Sequence, residues 1–141
     1  MAIFWHGQPE ERRQDFAADE TSLALALKFI RESFAGRDGK AVSAAQNAAD
    51  EVTSNIVNYT GASGYRIEAE QTADRLRLRF SDDGKPYNPL LHIDPDTHAA
   101  IEKRPIGGLG LVVVKRLSDR VAYSRENGRN VLTLIVKCEW V

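Results

Sequence analysis

The sequence predicts an α+β fold, a two-layer sandwich with helices covering one face of a mostly antiparallel sheet. Three observations point there. Apolar residues recur at helical spacing over the first part of the chain, then at a spacing of two in adjacent pairs of segments, and helical stretches separate those pairs. A length of 141 residues suits one domain able to bury its own core. No internal repeat or low-complexity linker divides it, so residues 1–141 are read as a single domain.

The N-terminal stretch is the least legible part, and "AIFWH" and "RRQDF" each read as a short strand. From Asp19 the pattern is helical. Asp19 or Thr21 can cap the first turn, Leu23, Leu27, Ile30 and Phe34 recur at three- and four-residue spacing, and Gly36 stops the helix. The polar turn "GRDGK" leads to a second helix from about Val42 to Tyr59, with Val42, Ala45, Ala49, Val52, Ile56 and Tyr59 as its apolar stripe. "YRIEAEQT" and "DRLRLRFS" alternate apolar and polar residues around "TAD" and form a hairpin, with Arg75, Arg77 and Arg79 on one face and Leu76, Leu78 and Phe80 on the other. Prolines at 86, 89, 95 and 105 make residues 83–106 a long loop, of a length that in compact domains is functional or mobile. "LVVVKRLSD" reads as a helix despite its β-branched run, and "RVAYSR" and "NVLTLIVK" form a second hairpin around "ENGR".

Bulk composition narrows the function. A formal net charge of -1 supplies no global field for nucleic acid or an anionic membrane. The single cysteine, Cys138, excludes an internal disulfide and any cysteine cluster with zinc spacing, and reads as a small core or edge thiol. No apolar run has the length of a membrane span and no signal segment opens the chain, so a cytoplasmic location is expected.

Three constellations carry candidate chemistry. On the second helix Asn47, Glu51, Asn55 and Asn58 share a face, with Glu51 and Asn55 ~6 Å apart along the axis. A solvated face would favour Lys, Glu, Gln and Arg, whereas "TSNIVN" concentrates residues that are poor helix formers. A carboxylate there can orient or deprotonate a nucleophile, and a carboxamide oxygen can ligate a hard cation. At the end of a predicted strand, "FSDDGKPYNP" offers a carboxylate beside a tight turn, suited to an exocyclic amine or simply to an Asp-Gly turn. In "RPIGGLGLVVVKRLSDRV", a Gly-x-Gly opens a helix, where free N–H groups suit an anion. It lacks the third glycine of a dinucleotide fold and the Gly-Lys-Ser/Thr of a P-loop, so alone it reads equally as a hinge.

Taken together and in this order, the stretches "DEVTSNIVNYT", "SDDGKPYNP" and "RPIGGLGL" resemble the N box and the two glycine boxes of the GHKL, or histidine-kinase-like, ATPase superfamily. The resemblance covers the chain from about Val42 to Lys137, and within the superfamily it is most similar to the stand-alone anti-sigma serine/threonine kinases of bacteria. It implies ATP and Mg²⁺ as cofactors. It implies Glu51 as general base, Asn55 as the Mg²⁺ ligand, Asp82 as the reader of the adenine amine, and Gly84 as the point where the backbone passes the base. Gly108, Leu109 and Gly110 would supply phosphate contacts at the end of a lid over residues 87–106, Arg104 a γ-phosphate contact, and Thr133 a neighbour of the adenine. Two residues depart from the pattern. Pro86 replaces a second glycine and should stiffen the root of the lid. Asn58 stands where many histidine kinases carry a lysine-type phosphate contact.

The function implied is a regulatory serine/threonine protein kinase. Its phosphoacceptor would be an anti-anti-sigma factor and its sequestered client a sigma factor, with a homodimer left open. The other reading keeps the pocket as an ATP-gated protein-binding module without kinase activity. His6, His92 and His98 lie in loop-like or terminal sequence and read as surface residues rather than phosphoacceptors.

Overall fold

A computed structural model of the chain describes residues 10–92 and 119–138. The predicted helix "LVVVKRLSD" as far as Ser118, the "AIFWH" strand, all of the predicted lid beyond His92 and the second glycine box lie outside the described residues.

Five strands form one sheet in the order β1-β2-β3-β5-β4, and every neighbouring pair is antiparallel. They are β1 Glu10–Ala17, β2 Gly64–Gln71, β3 Arg75–Asp82, β4 Arg120–Glu126 and β5 Arg129–Lys137. Two helices, α1 Ser22–Ser33 and α2 Gly39–Asn55, cover one face. The fold class is therefore the predicted one. The segment "RRQDF" is indeed a strand, paired along its length with β2 at the sheet edge.

Alternation along the strands builds the core. Tyr65, Ile67 and Ala69 of β2, Leu76, Leu78 and Phe80 of β3, and Leu132, Leu134 and Val136 of β5 are buried together beneath the helices. The opposite face carries Glu68–Arg79 and Glu70–Arg77 ion pairs across β2 and β3, an arrangement suited to a one-sided antiparallel sheet. The β4–β5 hairpin closes through Asn127 and Gly128, with φ of 52° and 75°, the backbone that a two-residue turn of this type demands and that Asn-Gly adopts most readily.

Helix α1 is capped by Asp19, whose Oδ1 accepts from the Ser22 N–H at 3.0 Å; the Thr21 side chain caps nothing. Its buried face is Ser22, Ala26, Phe29, Ile30 and Ser33, so Leu23 and Leu27 of the predicted stripe sit at the margin, half-buried. Gly36 follows at φ 82° and breaks the helix as expected. Helix α2 begins earlier than predicted because the Asp38 side chain accepts from the Lys40 N–H and so starts the helix at Gly39. Ala41, Ala44, Ala45, Ala48 and Ala49 face inward, small side chains that let α2 approach α1 and the sheet closely.

The C-terminal end of α2 differs from a uniform helix to Tyr59. After Asn55 the chain takes a π-helical turn over Ile56–Thr60 and stops at Gly61 in the left-handed region. The wider turn delays the return of each residue to the core face. Tyr59, predicted in the apolar stripe, is 42% exposed as a result, while Thr60 is buried.

Candidate nucleotide-binding site

A narrow cavity lies between the end of α2, the ends of β3 and β5, and the chain that leaves β3. Val52, Asn55, Ile56 and Thr60 form its helical wall, Phe80, Asp82, Asn130 and Leu132 its floor, and Tyr87, Pro89 and Tyr123 its rim. Its volume is about 20 Å³, room for about one water molecule.

The π turn shapes the helical wall. Asn55 and Thr60, five residues apart, both line the cavity, the spacing that a π turn aligns. The Thr60 hydroxyl is tied back to the Ile56 carbonyl at 2.8 Å. Asn55 is 7% exposed, and among the described residues its carboxamide has no hydrogen-bond partner. Its polar atoms are not among the fully buried unsatisfied ones, so the carboxamide opens onto the cavity and is available to a ligand.

On the floor, Asp82 is 3% exposed. Its Oδ1 accepts from the Gly84 N–H at 2.8 Å and from Asn130 Nδ2 at 3.0 Å. Oδ2 receives no donor among the described residues, although the side chain lines the cavity. The carboxylate thus has one oxygen committed to the protein and one left to accept from a ligand.

Gly84 follows immediately. A Cβ built there would stand 2.5 Å from Thr60 Cβ and 2.6 Å from both the Thr60 carbonyl and hydroxyl oxygens. Only glycine permits this approach, which the Lys85 N–H bond to the Thr60 carbonyl at 2.9 Å secures. Within the protein, then, the close neighbour of Gly84 is the π turn.

Glu51 is buried one turn before Asn55. Its charge reaches the rim: burial chiefly, then the Tyr59 and Glu51 charges, push the Tyr87 hydroxyl above its ordinary range. Tyr87 also stacks on Tyr59 with ring centroids 5.7 Å apart, so the exposed Tyr59 abuts the root of the loop.

The structure thus brings Asn55 and Asp82 into one cavity, sets Gly84 at its edge and buries Glu51 one turn away. It separates three others. Asn47 is exposed and lines a different groove near the start of α2. Asn58 is exposed on the π turn and is not part of the cavity wall. Thr133 corrects the expectation of an adenine neighbour, because strand parity puts it on the far face of the sheet, opposite Arg79 and Ala122. Its neighbours Asn130 and Leu132 reach the cavity instead. Arg104, Gly108, Leu109 and Gly110 lie outside the described residues. Among the described residues no group of three or more His, Cys, Asp or Glu side chains could hold a metal ion, and no helix there is long and apolar enough to cross a membrane.

Asn130 is the member that sequence reasoning missed. It is 5% exposed and makes four hydrogen bonds, to Asp82, the Lys85 carbonyl, the Tyr87 N–H and the Tyr123 hydroxyl. A signal was present: counting from the Asn-Gly turn, Asn130 shares the parity of Leu132 and Leu134, so a polar residue occupies a core-facing position.

A carboxylate acceptor and an unpartnered carboxamide thus line one cavity on a layered α+β scaffold. The model of the histidine kinase-like ATPase domain matches residues 16–136, and the chain belongs to that family. Among characterised proteins it is similar to the serine/threonine-protein kinase BtrW of Bordetella bronchiseptica, 29% identical over 90 residues. That match covers 61% of this chain and 63% of the relative, so the chain spans less than two thirds of that protein's length. Among solved structures it is similar to the Acinetobacter baumannii histidine kinase AdeS, at 16% identity and a TM-score of 0.49, over 89% of this chain and 67% of that one.

Proposed function

We propose that the chain is a regulatory serine/threonine protein kinase that binds Mg·ATP in this cavity and transfers the γ-phosphoryl group to a protein hydroxyl. The observation that carries the reading is the presence of two ligand-ready groups, Asp82 Oδ2 and the Asn55 carboxamide, in the lining of one cavity. Asp82 would accept from the adenine amine. Asn55 would supply one oxygen to Mg²⁺, whose remaining ligands are phosphate and water oxygens, as suits a hard cation. Family membership supports ATP as the nucleotide, and the likeness to a protein named as a serine/threonine kinase supports a hydroxyl acceptor.

Glu51 would take the proton of the attacking serine as its Oγ–P bond forms and the bond to the bridging oxygen of ADP breaks. Such catalysis rests mainly on positioning and on stabilising charge. Gly108, Leu109 and Gly110 would contact the phosphates, with Arg104 at the γ-phosphate. Asn58 would serve only if the π turn rewound. By the resemblance in its boxes, the acceptor would be an anti-anti-sigma factor and the client a sigma factor, in the cytoplasm.

The test is transfer of γ-labelled phosphate to the genomic-neighbour partner by parent and Glu51→Ala chains. Alanine preserves the helix, so ATP binding should persist while transfer falls ~10²–10⁴-fold. Equal transfer by both would remove Glu51 from the mechanism. Partner capture that depends on ATP in both, with no phosphoprotein from either, would replace the kinase by an ATP-gated binding module.

A further inference from the structure

Asn130 stands at the junction of three elements, and its bonding there is complete. A carboxamide offers two N–H donors and an oxygen with two lone pairs. Nδ2 donates to Asp82 Oδ1 at 3.0 Å and to the Lys85 carbonyl at 2.8 Å. Oδ1 accepts from the Tyr87 N–H at 2.9 Å and from the Tyr123 hydroxyl at 2.6 Å. Every donor meets an acceptor. Rotating the amide by a half turn would set its oxygen against the Asp82 carboxylate and its NH₂ against a backbone N–H, so its orientation is fixed by its neighbours.

We propose that Asn130 is a positioning residue that sets the base selectivity of the pocket and fastens the rim segment at Lys85 and Tyr87 to the base-reading carboxylate. The proposal rests on the reading of this cavity as a nucleotide site. With Asn130 and the Gly84 N–H both donating to Oδ1, the Asp82 side chain cannot swing, and Oδ2 remains a pure acceptor. A pure acceptor suits a purine carrying an amine at its 6-position and opposes one carrying a carbonyl there. The same side chain holds Lys85 and Tyr87, the first residues of the segment that forms the rim. One residue therefore ties the fixed Asp82 carboxylate to the rim.

Asn130→Asp isolates the donor function. The new carboxylate still accepts from the Tyr87 N–H and the Tyr123 hydroxyl, but it faces Asp82 with no N–H between them. Two carboxylates at that distance cannot both ionise readily and share a proton at raised pH. The proton restores a donor at position 130, and its loss removes it. The other titratable or charged groups on the elements packed around this position are Tyr87 and Lys85 in the loop, Tyr123 and Arg125 on β4, and Glu51 on α2; Arg125 is occupied with the Gly84 carbonyl at 2.8 Å.

The experiment measures affinities of the full chain for ATP and for inosine triphosphate, which carries a carbonyl in place of the amine at the 6-position and a hydrogen on N1, between pH 6 and pH 8.5. The parent should prefer ATP by about 10- to 100-fold, the consequence of an unpaired buried partner, with little change in that ratio across the range. In Asn130→Asp the ratio should collapse to within about threefold at pH 8.5 and recover toward pH 6. A merely structural role would lower both affinities together and leave the ratio unmoved. If the aspartate variant melts below the assay temperature, Asn130→Ser repeats the ratio measurement without added charge. An unchanged, pH-independent ratio in either variant overturns the proposal. A parent that binds neither nucleotide overturns the nucleotide-site reading itself, a separate outcome.

Discussion

Replacing Gly84 by alanine tests how the site is assembled. The added Cβ would lie 2.5 Å from Thr60 Cβ, and an ordinary contact begins near 3.4 Å, so the loop and the π turn must part by about 0.9 Å. The obstructing atoms include the Thr60 carbonyl and Cβ, which no rotamer change can move aside. A separation of that size would stretch the Lys85–Thr60 hydrogen bond from 2.9 Å well past bonding range. Overpacking costs about 1–3 kcal/mol and loss of one such bond about 0.5–1.5 kcal/mol, so Gly84→Ala should destabilise by ~2–4 kcal/mol. For a chain of this size that corresponds to a Tm lowered by roughly 6–15 °C. Far-UV circular dichroism in a thermal ramp reads it directly, and a urea titration should show a lower midpoint at unchanged slope. Adding Thr60→Gly removes two of the three clashing atoms and should recover part of the loss. A Tm within about 2 °C of the parent would refute the steric argument. If that same variant lost ATP, the glycine would serve the nucleotide rather than the π turn.

Asp82→Asn places an amide where Oδ2 accepts, and half of its orientations turn a donor toward the adenine amine. Calorimetry should show ATP binding weaker by one to two decades, the cost of ~1–3 kcal/mol for an unpaired buried partner; unchanged affinity would remove Asp82 from the site. Tyr65 governs the alkaline limb of stability. Burial pushes its hydroxyl above the ordinary value, opposed by the bond to the Ser22 hydroxyl at 2.7 Å and assisted by the Asp19 charge. Because the folded pKa is the raised one, its contribution is complete below about pH 10 and falls away as pH rises through the folded value. Tyr65→Phe should flatten the loss of stability above pH 10 in denaturant melts, leaving a residual slope from Tyr87, whose hydroxyl burial also raises. An identical alkaline limb in parent and variant would contradict the assignment.

The legible part of this fold was whatever periodicity alone decides. Leu76, Leu78 and Phe80 against Arg75, Arg77 and Arg79 specified the two faces of β3, and the Asn-Gly pair specified the β4–β5 turn. The site was legible where residue type is unusual for its element, as with Asn55 on a helix and Asp82 at the end of an apolar strand. What escaped depended on backbone geometry that no periodicity records. A uniform 3.6-residue turn put Asn58 beside Asn55 and Tyr59 in the core. One π turn exposes both and buries Thr60 in their place.

The same distinction explains Thr133 and Asn130. Motif resemblance locates a residue to within a position or so along a strand, whereas the side on which it stands changes with every single step. Thr133 carried the expected residue type on the wrong parity. Asn130, three residues earlier, carries an unexpected type on the parity that faces the cavity. Register then decides the matter physically: Asn130 lies directly across from Asp82 in the β3–β5 pairing, so the strand ladder itself delivers a donor to the carboxylate. A residue placed by the ladder, saturated by four bonds and buried next to the Asp82 carboxylate constrains how that carboxylate can meet a ligand, which the motif alone does not record.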